Sequence, residues 1–289
     1  MASFNLRVLA LLGMAFGLGA AAGIVLAPRI AKMVSRPVHV PAPEPVACPP
    51  ASAGLKTIVA FGQSNAANYG GAGPSDADWG QDHYRPRADV RVLDWRSGQC
   101  FRAKDPLQGA DGRAASLWGR FGDELIARRQ GEQIMIVAFG VGATTIADWT
   151  DGKVERRTGE TLAERLPKVA AAMKQAGYRA DFVAFQQGES DRATGYSDYR
   201  QRLDLLGERV VQHFGQPLTA AISTLCQGPA NPEVARAIRE AAAAGSTIRV
   251  GPDLDVALAH ALDRMDRCHL SRIGLEKAGR LWADAFDAR

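Results

Sequence analysis

An apolar run that ends in a glycine and a polar loop decides the fold: TIVAFGQSN, residues 57–65. A short, uninterrupted apolar run of this kind predicts a strand that is buried on both faces. Several hydrolase folds present a nucleophilic serine directly after such a strand, which makes Ser64 a candidate nucleophile. A serine in this position is more often a helix N-cap, so the motif alone does not establish catalysis.

The rest of the chain alternates predicted strands with predicted helices, which indicates a parallel sheet covered on both faces. Catalytic groups should then collect where the strands end. The predicted strands are Thr57–Phe61, Val90–Leu93, Gln133–Phe139, Asp181–Phe185, Leu218–Ser223 and Thr247–Val250. The predicted helices are Ala115–Arg129, Thr161–Ala176, Tyr196–His213, Pro232–Ala243 and Arg272–Phe286.

A carboxylate and a histidine three residues apart lie near the C-terminus, in DRCH at residues 266–269. A serine hydroxyl needs an imidazole to take its proton and a carboxylate to orient that imidazole. On one turn, Asp266 and His269 can both point at the serine. Alone, the pair is more often an N-cap followed by a surface histidine. Together with Ser64, it favours a catalytic interpretation.

Two more strands run into polar motifs, GVGATTIADW at residues 140–149 and QQGESD at residues 186–191. The four motifs, in this order, resemble those of the SGNH hydrolases. Within that superfamily they resemble the sialate O-acetylesterase-like carbohydrate esterases, whose pattern reads GQSN, GGTSIxxW, QGESD and DxxH. The resemblance runs from about Thr57 to Trp282. It implies a flavodoxin-like three-layer αβα sandwich around a central parallel sheet of about five strands.

The resemblance also implies an activity, the removal of short acyl groups, O-acetyl above all, from carbohydrate. Ser64 would be the nucleophile, His269 the base and then the acid, and Asp266 the group that orients His269. The oxyanion would be met by the backbone N–H of Ser64 and by further donors. The other oxyanion and substrate-binding candidates are the N–H of Ala115, Gly142, and the side chains of Asn65, Gln187 and Glu189.

Other activities remain open at this point. An O-acetyltransferase that acts on an envelope glycan would use the same triad, and a glycan-binding module would keep the fold without catalysis. The intact triad speaks against the second. The GVGATT segment has Thr145 where a dinucleotide fingerprint needs its third glycine, and the five histidines show no metal-ligand spacing, so we expect no cofactor and no metal.

Charge is concentrated at the N-terminus. The formal net charge of the 289 residues is +4, and +3 of it lies in residues 1–50, where Arg7, Arg29, Lys32 and Arg36 oppose Glu44. The remaining chain is close to neutral and has no basic stripe with interleaved aromatics. The sequence therefore predicts no nucleic-acid partner. It does not indicate the oligomeric state.

The chain divides into three parts by composition. Residues 1–28 read as a signal anchor or a cleaved signal peptide, because Val8–Ala27 carries no charge and just reaches across a bilayer core. Residues 29–53 are proline-rich and predict a semi-rigid, extended linker. Residues 54–289 form the catalytic domain. The cations that follow the apolar segment favour a cytoplasmic location for the linker.

The cysteines indicate the opposite location. An even count of four suits an oxidising compartment, but Cys48, Cys100, Cys226 and Cys268 allow three pairings. Relatives in the resembled branch carry cysteines near these places, which favours a Cys226–Cys268 bridge over two free thiols. We therefore expect the chain to be anchored in the inner membrane with its catalytic domain in the periplasm, or secreted if the N-terminal segment is cleaved.

Overall fold

The computed structural model describes residues 42–71, 84, 86–87, 89–155 and 159–288. The predicted signal segment, residues 1–28, and the first part of the linker lie outside the described residues. Within the described ranges, no helix combines the length and the apolar character needed to cross a membrane.

A single mixed sheet forms the centre of the domain. Its strands are β1 (Pro45–Val46), β2 (Leu55–Gly62), β3 (Val90–Asp94), β4 (Gln99–Arg102), β5 (Gln133–Ala138), β6 (Phe182–Gln186), β7 (Leu218–Ile222) and β8 (Ile248–Asp253). Their spatial order is β1-β4-β3-β5-β2-β6-β7-β8. The pairings from β3 to β8 are parallel, whereas β4 and β1 add antiparallel strands at one edge. The α/β class is confirmed, with more strands than the five expected.

Helices cover both faces of this sheet. They are α1 (Trp118–Arg128), α2 (Arg165–Gln175), α3 (Tyr196–Phe214), α4 (Pro232–Ala244), α5 (Leu254–Ala257) and α6 (Arg272–Asp287). Alternate β2 residues point to opposite faces. Ile58 lies in the apolar cluster that contains α1 and α6, and Val59 lies in the cluster that contains α2, α3 and α4. The three-layer arrangement is therefore confirmed.

Part of the predicted linker belongs to the folded domain. Strand β1 pairs with β4, and Cys48 is bridged to Cys100 on that strand. The Tyr178 hydroxyl also donates to the carbonyl of Pro49, at 2.6 Å. A proline can occupy an edge strand because its missing N–H costs no pairing there. Residues 45–49, which the composition assigns to the linker, therefore belong to the folded domain.

The end of β2 is shaped by a glycine that no other residue can replace. Gly62 has a φ of +134°, and a Cβ on it would lie 2.0 Å from the carbonyl oxygen of Gln186 on β6. The two central strands therefore approach closely where both end. Ser64 begins a 3₁₀ turn just beyond this point, so the close approach sets the position of the candidate nucleophile.

Candidate active site

Ser64 is held at the carboxyl edge of the sheet with 5% of its surface exposed. It starts the 3₁₀ turn Ser64–Ala66, directly after Gln63. The side-chain oxygen of Gln63 accepts hydrogen bonds from the N–H groups of Gly188 (3.3 Å) and Ser190 (3.0 Å). The turn that carries Ser64 is thereby fastened to the loop that follows β6.

Asp266 and His269 form a hydrogen-bonded pair on a loop rather than on a helix. The distance from Asp266 Oδ2 to His269 Nδ1 is 2.7 Å. Asp266 Oδ1 accepts from the backbone N–H of His269 (2.6 Å) and of Cys268 (3.0 Å). Since a carboxylate only accepts, Nδ1 carries the hydrogen, and Nε2 of the neutral ring is left as the acceptor.

The same hydrogen bonds keep Asp266 ionised. Partial burial favours the neutral acid, but the side-chain and backbone hydrogen bonds from His269 outweigh it, so the pKa of Asp266 lies below its ordinary value. An ionised Asp266 can both orient the imidazole and stabilise the positive charge that the ring gains on accepting a proton.

Asn65 joins the serine segment to the histidine loop. Its amide nitrogen donates to the carbonyl of Cys268 at 3.2 Å, and its amide oxygen accepts from the N–H of Leu270 at 3.0 Å. These two residues flank His269. The side chain next to Ser64 therefore binds the backbone on both sides of the imidazole. Glu189 and Cys268 take both of its amide hydrogens, so Asn65 fixes the nucleophile loop and does not fit the predicted oxyanion or substrate-binding role.

The histidine loop has further restraints. The predicted disulfide between Cys226 and Cys268 is present. The N–H of Gln227 donates to the carbonyl of Arg267, at 3.0 Å. Beneath the loop, the buried guanidinium of Arg264 donates to the carbonyl of Cys268 at 2.6 Å. The loop is therefore tied to the end of β7 on one side and to the interior on the other.

Glu189 lies beneath the site rather than on the substrate side of it. The residue is 2% exposed. Its Oε1 accepts from Asn65 (2.6 Å) and from the Ser223 hydroxyl (2.8 Å), and Oε2 accepts no hydrogen bond from any described residue. Burial raises the pKa of Glu189, against the hydrogen bonds from Asn65 and Ser223 and the charge of Arg264. Its contact with Asn65 makes it a support for the nucleophile loop.

Gln187 does not fit the predicted oxyanion role. The residue is fully buried, and its amide nitrogen already donates to the carbonyl of Thr144 (3.1 Å), to Asp191 and to Gln63 (3.2 Å). Its amide oxygen accepts from Tyr199. An amide has two hydrogens to donate, and these contacts use both. Gln187 therefore belongs to the framework under the nucleophile turn.

Ala115 does not fit either. Its N–H donates to the carbonyl of Gly70 at 2.9 Å, and its carbonyl accepts from the N–H of Gly70. The predicted donor is therefore used in backbone pairing. The N–H of Ser64 lies at the start of a helical turn, where an N–H has no acceptor within the turn. Gly142 borders the site, and among the described residues its N–H has one long contact of 3.4 Å, to Asp111.

Tyr69, which no sequence motif identifies, packs on the imidazole. The rings of Tyr69 and His269 stack with centroids 5.8 Å apart, and the Tyr69 hydroxyl donates to Asp111 at 2.8 Å. Neither Tyr69 nor Asp111 belongs to one of the four motifs. An aromatic residue five positions after Ser64 was the only available signal.

A cavity of about 350 Å³ adjoins this side of the site. Its lining mixes charged groups, such as Asp111 and Lys153, with apolar ones, such as Val141 and Leu162. Such a lining can offer a ligand both hydrogen-bonding groups and apolar surface. The cavity shares its Asp111 and Gly142 wall with Tyr69.

Comparisons with solved structures agree with this fold. A protein from Arabidopsis thaliana matches with a TM-score of 0.65 at 19% identity, over 81% of this chain and 98% of that one. A lipase/acylhydrolase from Enterococcus faecalis matches with a TM-score of 0.51 at 16% identity, over 81% and 96% of the two chains. A carbohydrate acetylesterase from Xanthomonas citri matches with a TM-score of 0.56 at 15% identity, over 80% and 55%.

Comparison with curated proteins gives no match. A family model does match, and it covers residues 55–288, nearly the whole described domain. That family is described as carbohydrate esterase, sialic acid-specific acetylesterase. The span contains all four motifs, including the one formed by Asp266 and His269. The chain therefore belongs to the sialic acid-specific acetylesterase family of carbohydrate esterases and is a carboxylic ester hydrolase.

Proposed function

We propose that this protein is a serine esterase that removes O-acetyl groups from carbohydrate through Ser64, His269 and Asp266. The observation that carries the proposal is the 2.7 Å bond between Asp266 and His269 Nδ1, on a loop that Asn65 binds right beside Ser64. This bond leaves Nε2 as the acceptor for the serine proton.

The reaction follows from these positions in two steps. Ser64 Oγ attacks the ester carbonyl while His269 takes its proton, and the imidazolium then protonates the departing sugar oxygen, which leaves as a hydroxyl. A water, deprotonated by the same imidazole, attacks the acetyl-enzyme, and the imidazolium returns its proton to Ser64 Oγ as acetate leaves. The oxyanion of each tetrahedral intermediate is met by the N–H of Ser64, with the N–H of Gly142 as the second candidate donor.

A short acyl group fits the walls around Ser64. The turn that begins at Gly140 packs directly on the nucleophile turn, since a Cβ on Gly140 would lie 3.0 Å from the carbonyl oxygen of Ala66. On another side, a Cβ on Gly71 would lie 3.3 Å from the methyl group of Ala115. We take these packed segments as the walls of the acyl site, where a long acyl chain would be excluded by steric clash, a stronger filter than the loss of one favourable methylene contact.

The acyl and sugar preferences can be tested together. Activity should be highest on p-nitrophenyl acetate and fall steeply through butyrate to octanoate, and O-acetylated sugars should release acetate. Ser64→Ala is the control for background hydrolysis. A profile that peaks at octanoate, with no acetate freed from any acetylated glycan, would contradict the proposal and indicate a lipase-like member of the superfamily.

Hydrolysis is favoured over transfer by the exposure of the base. The His269 side chain is 26% exposed, so water can reach the imidazole that deprotonates it for hydrolysis of the acetyl-enzyme. Adding an unacetylated sugar acceptor to the acetate-release assay separates the two reactions. A transferase would form acetylated acceptor in place of free acetate.

The disulfides support a location outside the cytoplasm. Cys48–Cys100 and Cys226–Cys268 are both bridged, and such bonds persist in oxidising compartments. We place the catalytic domain in the periplasm, held at the inner membrane by the N-terminal segment or released if that segment is cleaved. A C-terminal fusion reporter that is active only in the cytoplasm would overturn this assignment.

A further inference from the structure

Tyr69 lies between the imidazole of His269 and the side chain of Asp111. One face of its ring stacks on His269, with an angle of 20° between the planes and 5.8 Å between the centroids. Its hydroxyl donates to Asp111 Oδ2 at 2.8 Å. The ring is thus held at its far end by a hydrogen bond, and its face is presented to the imidazole.

Two glycines make room for this ring. A Cβ on Gly112, which has a φ of +86°, would lie 2.3 Å from the carbonyl oxygen of Asn68 and 2.8 Å from Tyr69 Cε2. A Cβ on Gly142 would lie 2.7 Å from the Tyr69 hydroxyl oxygen. A side chain at Gly142 would meet the Tyr69 ring before any other group, whereas one at Gly112 would meet the Asn68 backbone first. The backbone at Gly142 is therefore closely fitted to the Tyr69 ring.

We propose that Tyr69 is a positioning residue of the triad, which holds the His269 ring and stabilises the imidazolium formed when Ser64 gives up its proton. The face of an aromatic ring is negative and attracts a cation within about 6 Å of its centre. Because the ring faces His269, this attraction is stronger after proton transfer than before it. The inference rests on the proposed function in that His269 is taken as the base.

Other charged groups also face His269 and must stay constant in a test. Asp266 binds Nδ1 from the same loop, and Arg264 reaches the carbonyl of Cys268 from below. Glu189 contacts the loop through Asn65, and Asp111 lies behind the Tyr69 ring. Every substitution at Tyr69 removes the hydroxyl that binds Asp111, so a comparison among variants that all lack it isolates the ring.

The test compares three variants at this position. Tyr69→Phe keeps the aromatic ring, whereas Tyr69→Leu and Tyr69→Met fill much of the same space with a side chain that has no aromatic ring. In the Leu and Met variants the acidic limb of the kcat/KM profile should move by about half a pH unit, to lower pH, because the imidazolium loses a favourable contact. We expect kcat/KM on p-nitrophenyl acetate to fall about tenfold with little change in KM. The Phe variant keeps the aromatic face and should change much less than the Leu and Met variants in both respects.

Tyr196→Leu is the matched control. This tyrosine also donates to a carboxylate, that of Glu240, and has the Arg236 guanidinium 4.1 Å from its ring centre, but it lies on α3. It should leave the profile unchanged. NMR titration of the His269 ring in each variant gives the same comparison without turnover, so it remains decisive if the wild-type protein proves inactive on every ester.

Either of two results overturns the proposal. One is a folded Leu or Met variant whose pH profile, His269 titration and kcat/KM match those of wild type. The other is that neither variant folds, which would make the ring a packing element only. If the wild-type protein is inactive on every ester and the His269 titration is still shifted in the Leu and Met variants, the proposed function is rejected and the positioning role is kept.

Discussion

Replacing Asn65 with alanine should uncouple the histidine loop from the nucleophile turn. The side chain makes three hydrogen bonds, to Glu189 (2.6 Å), to the carbonyl of Cys268 (3.2 Å) and from the N–H of Leu270 (3.0 Å). All three lie in the interior, since Asn65 is 2% exposed. Removing them therefore affects both the stability of the domain and the placement of His269.

The expected loss of stability follows from what each partner keeps. Glu189 still accepts from Ser223, and Cys268 still accepts from Arg264. The N–H of Leu270 loses its acceptor, which costs about 1 to 3 kcal/mol for a buried donor. With a smaller contribution from the other two bonds, the free energy of unfolding should fall by about 3 kcal/mol. A domain of ordinary stability, about 5 to 15 kcal/mol, stays folded after this loss.

The expected loss of activity is larger than the loss of stability alone would produce. A displacement of the imidazole by about 1 Å can lower the rate about 100-fold. We therefore expect kcat on p-nitrophenyl acetate to fall by about that factor in Asn65→Ala, at a temperature where urea unfolding shows the variant to be fully folded.

Asn231→Ala is the matched control. Asn231 is also buried, and its amide donates to the carbonyls of Asp191 (3.0 Å) and Thr194 (2.9 Å), while its oxygen caps α4. Its loss should lower stability comparably and leave kcat within about threefold of wild type. The reasoning is refuted if Asn65→Ala keeps wild-type kcat, or loses no more activity than Asn231→Ala.

Three further predictions follow from buried groups, cross-links and a close backbone approach. Burial raises the pKa of Glu189, so the free energy of unfolding should fall as pH rises above the ordinary carboxyl pKa. Glu189→Gln should remove this decline, and in urea unfolding its stability relative to wild type should be greater at pH 8 than at pH 4. Replacing Cys226 and Cys268 with serines should lower kcat, because their bridge restrains the histidine loop. Replacing Cys48 and Cys100 with serines should lower Tm and leave kcat unchanged. If both double variants changed kcat equally, this prediction would be contradicted. Gly62→Ala should lower the free energy of unfolding far more than Gly98→Ala. Gly98 also has a positive φ, +70°, but a Cβ there would meet no atom within 4 Å, so its replacement should cost about 1 kcal/mol.

The sequence predicts those parts of the site that follow directly from strand ends. Ser64 is located by the apolar run that precedes it, and Asp266 with His269 by their spacing. Asp266 and His269 lie on a tight loop because Arg267 between them adopts a left-handed backbone conformation, with a φ of 65°. The identity of an arginine does not predict that conformation. The short edge strands β1 and β4 are also missed, since two and four residues show no usable periodicity.

Donors and supports are less predictable because they depend on pairing between distant segments. The N–H of Ala115 is used by Gly70, and the amide of Gln187 by Thr144 and Asp191, and neither partnership leaves a trace in the local sequence. Tyr69 acquires its position from contacts made by the fold as a whole. A motif therefore identifies the reacting residues, while the groups that orient them require the three-dimensional structure.

The most direct test of the central claim is covalent labelling with a fluorophosphonate, followed by peptide mass spectrometry. A phosphonate reacts with a serine hydroxyl that a neighbouring base activates, so it reports the Ser64–His269 pair without any assumption about the natural substrate. We predict a single adduct on Ser64, formed much more slowly in His269→Ala and absent in Ser64→Ala. An active wild-type enzyme that labels on another residue, or that labels on Ser64 at the same rate without His269, would contradict the account.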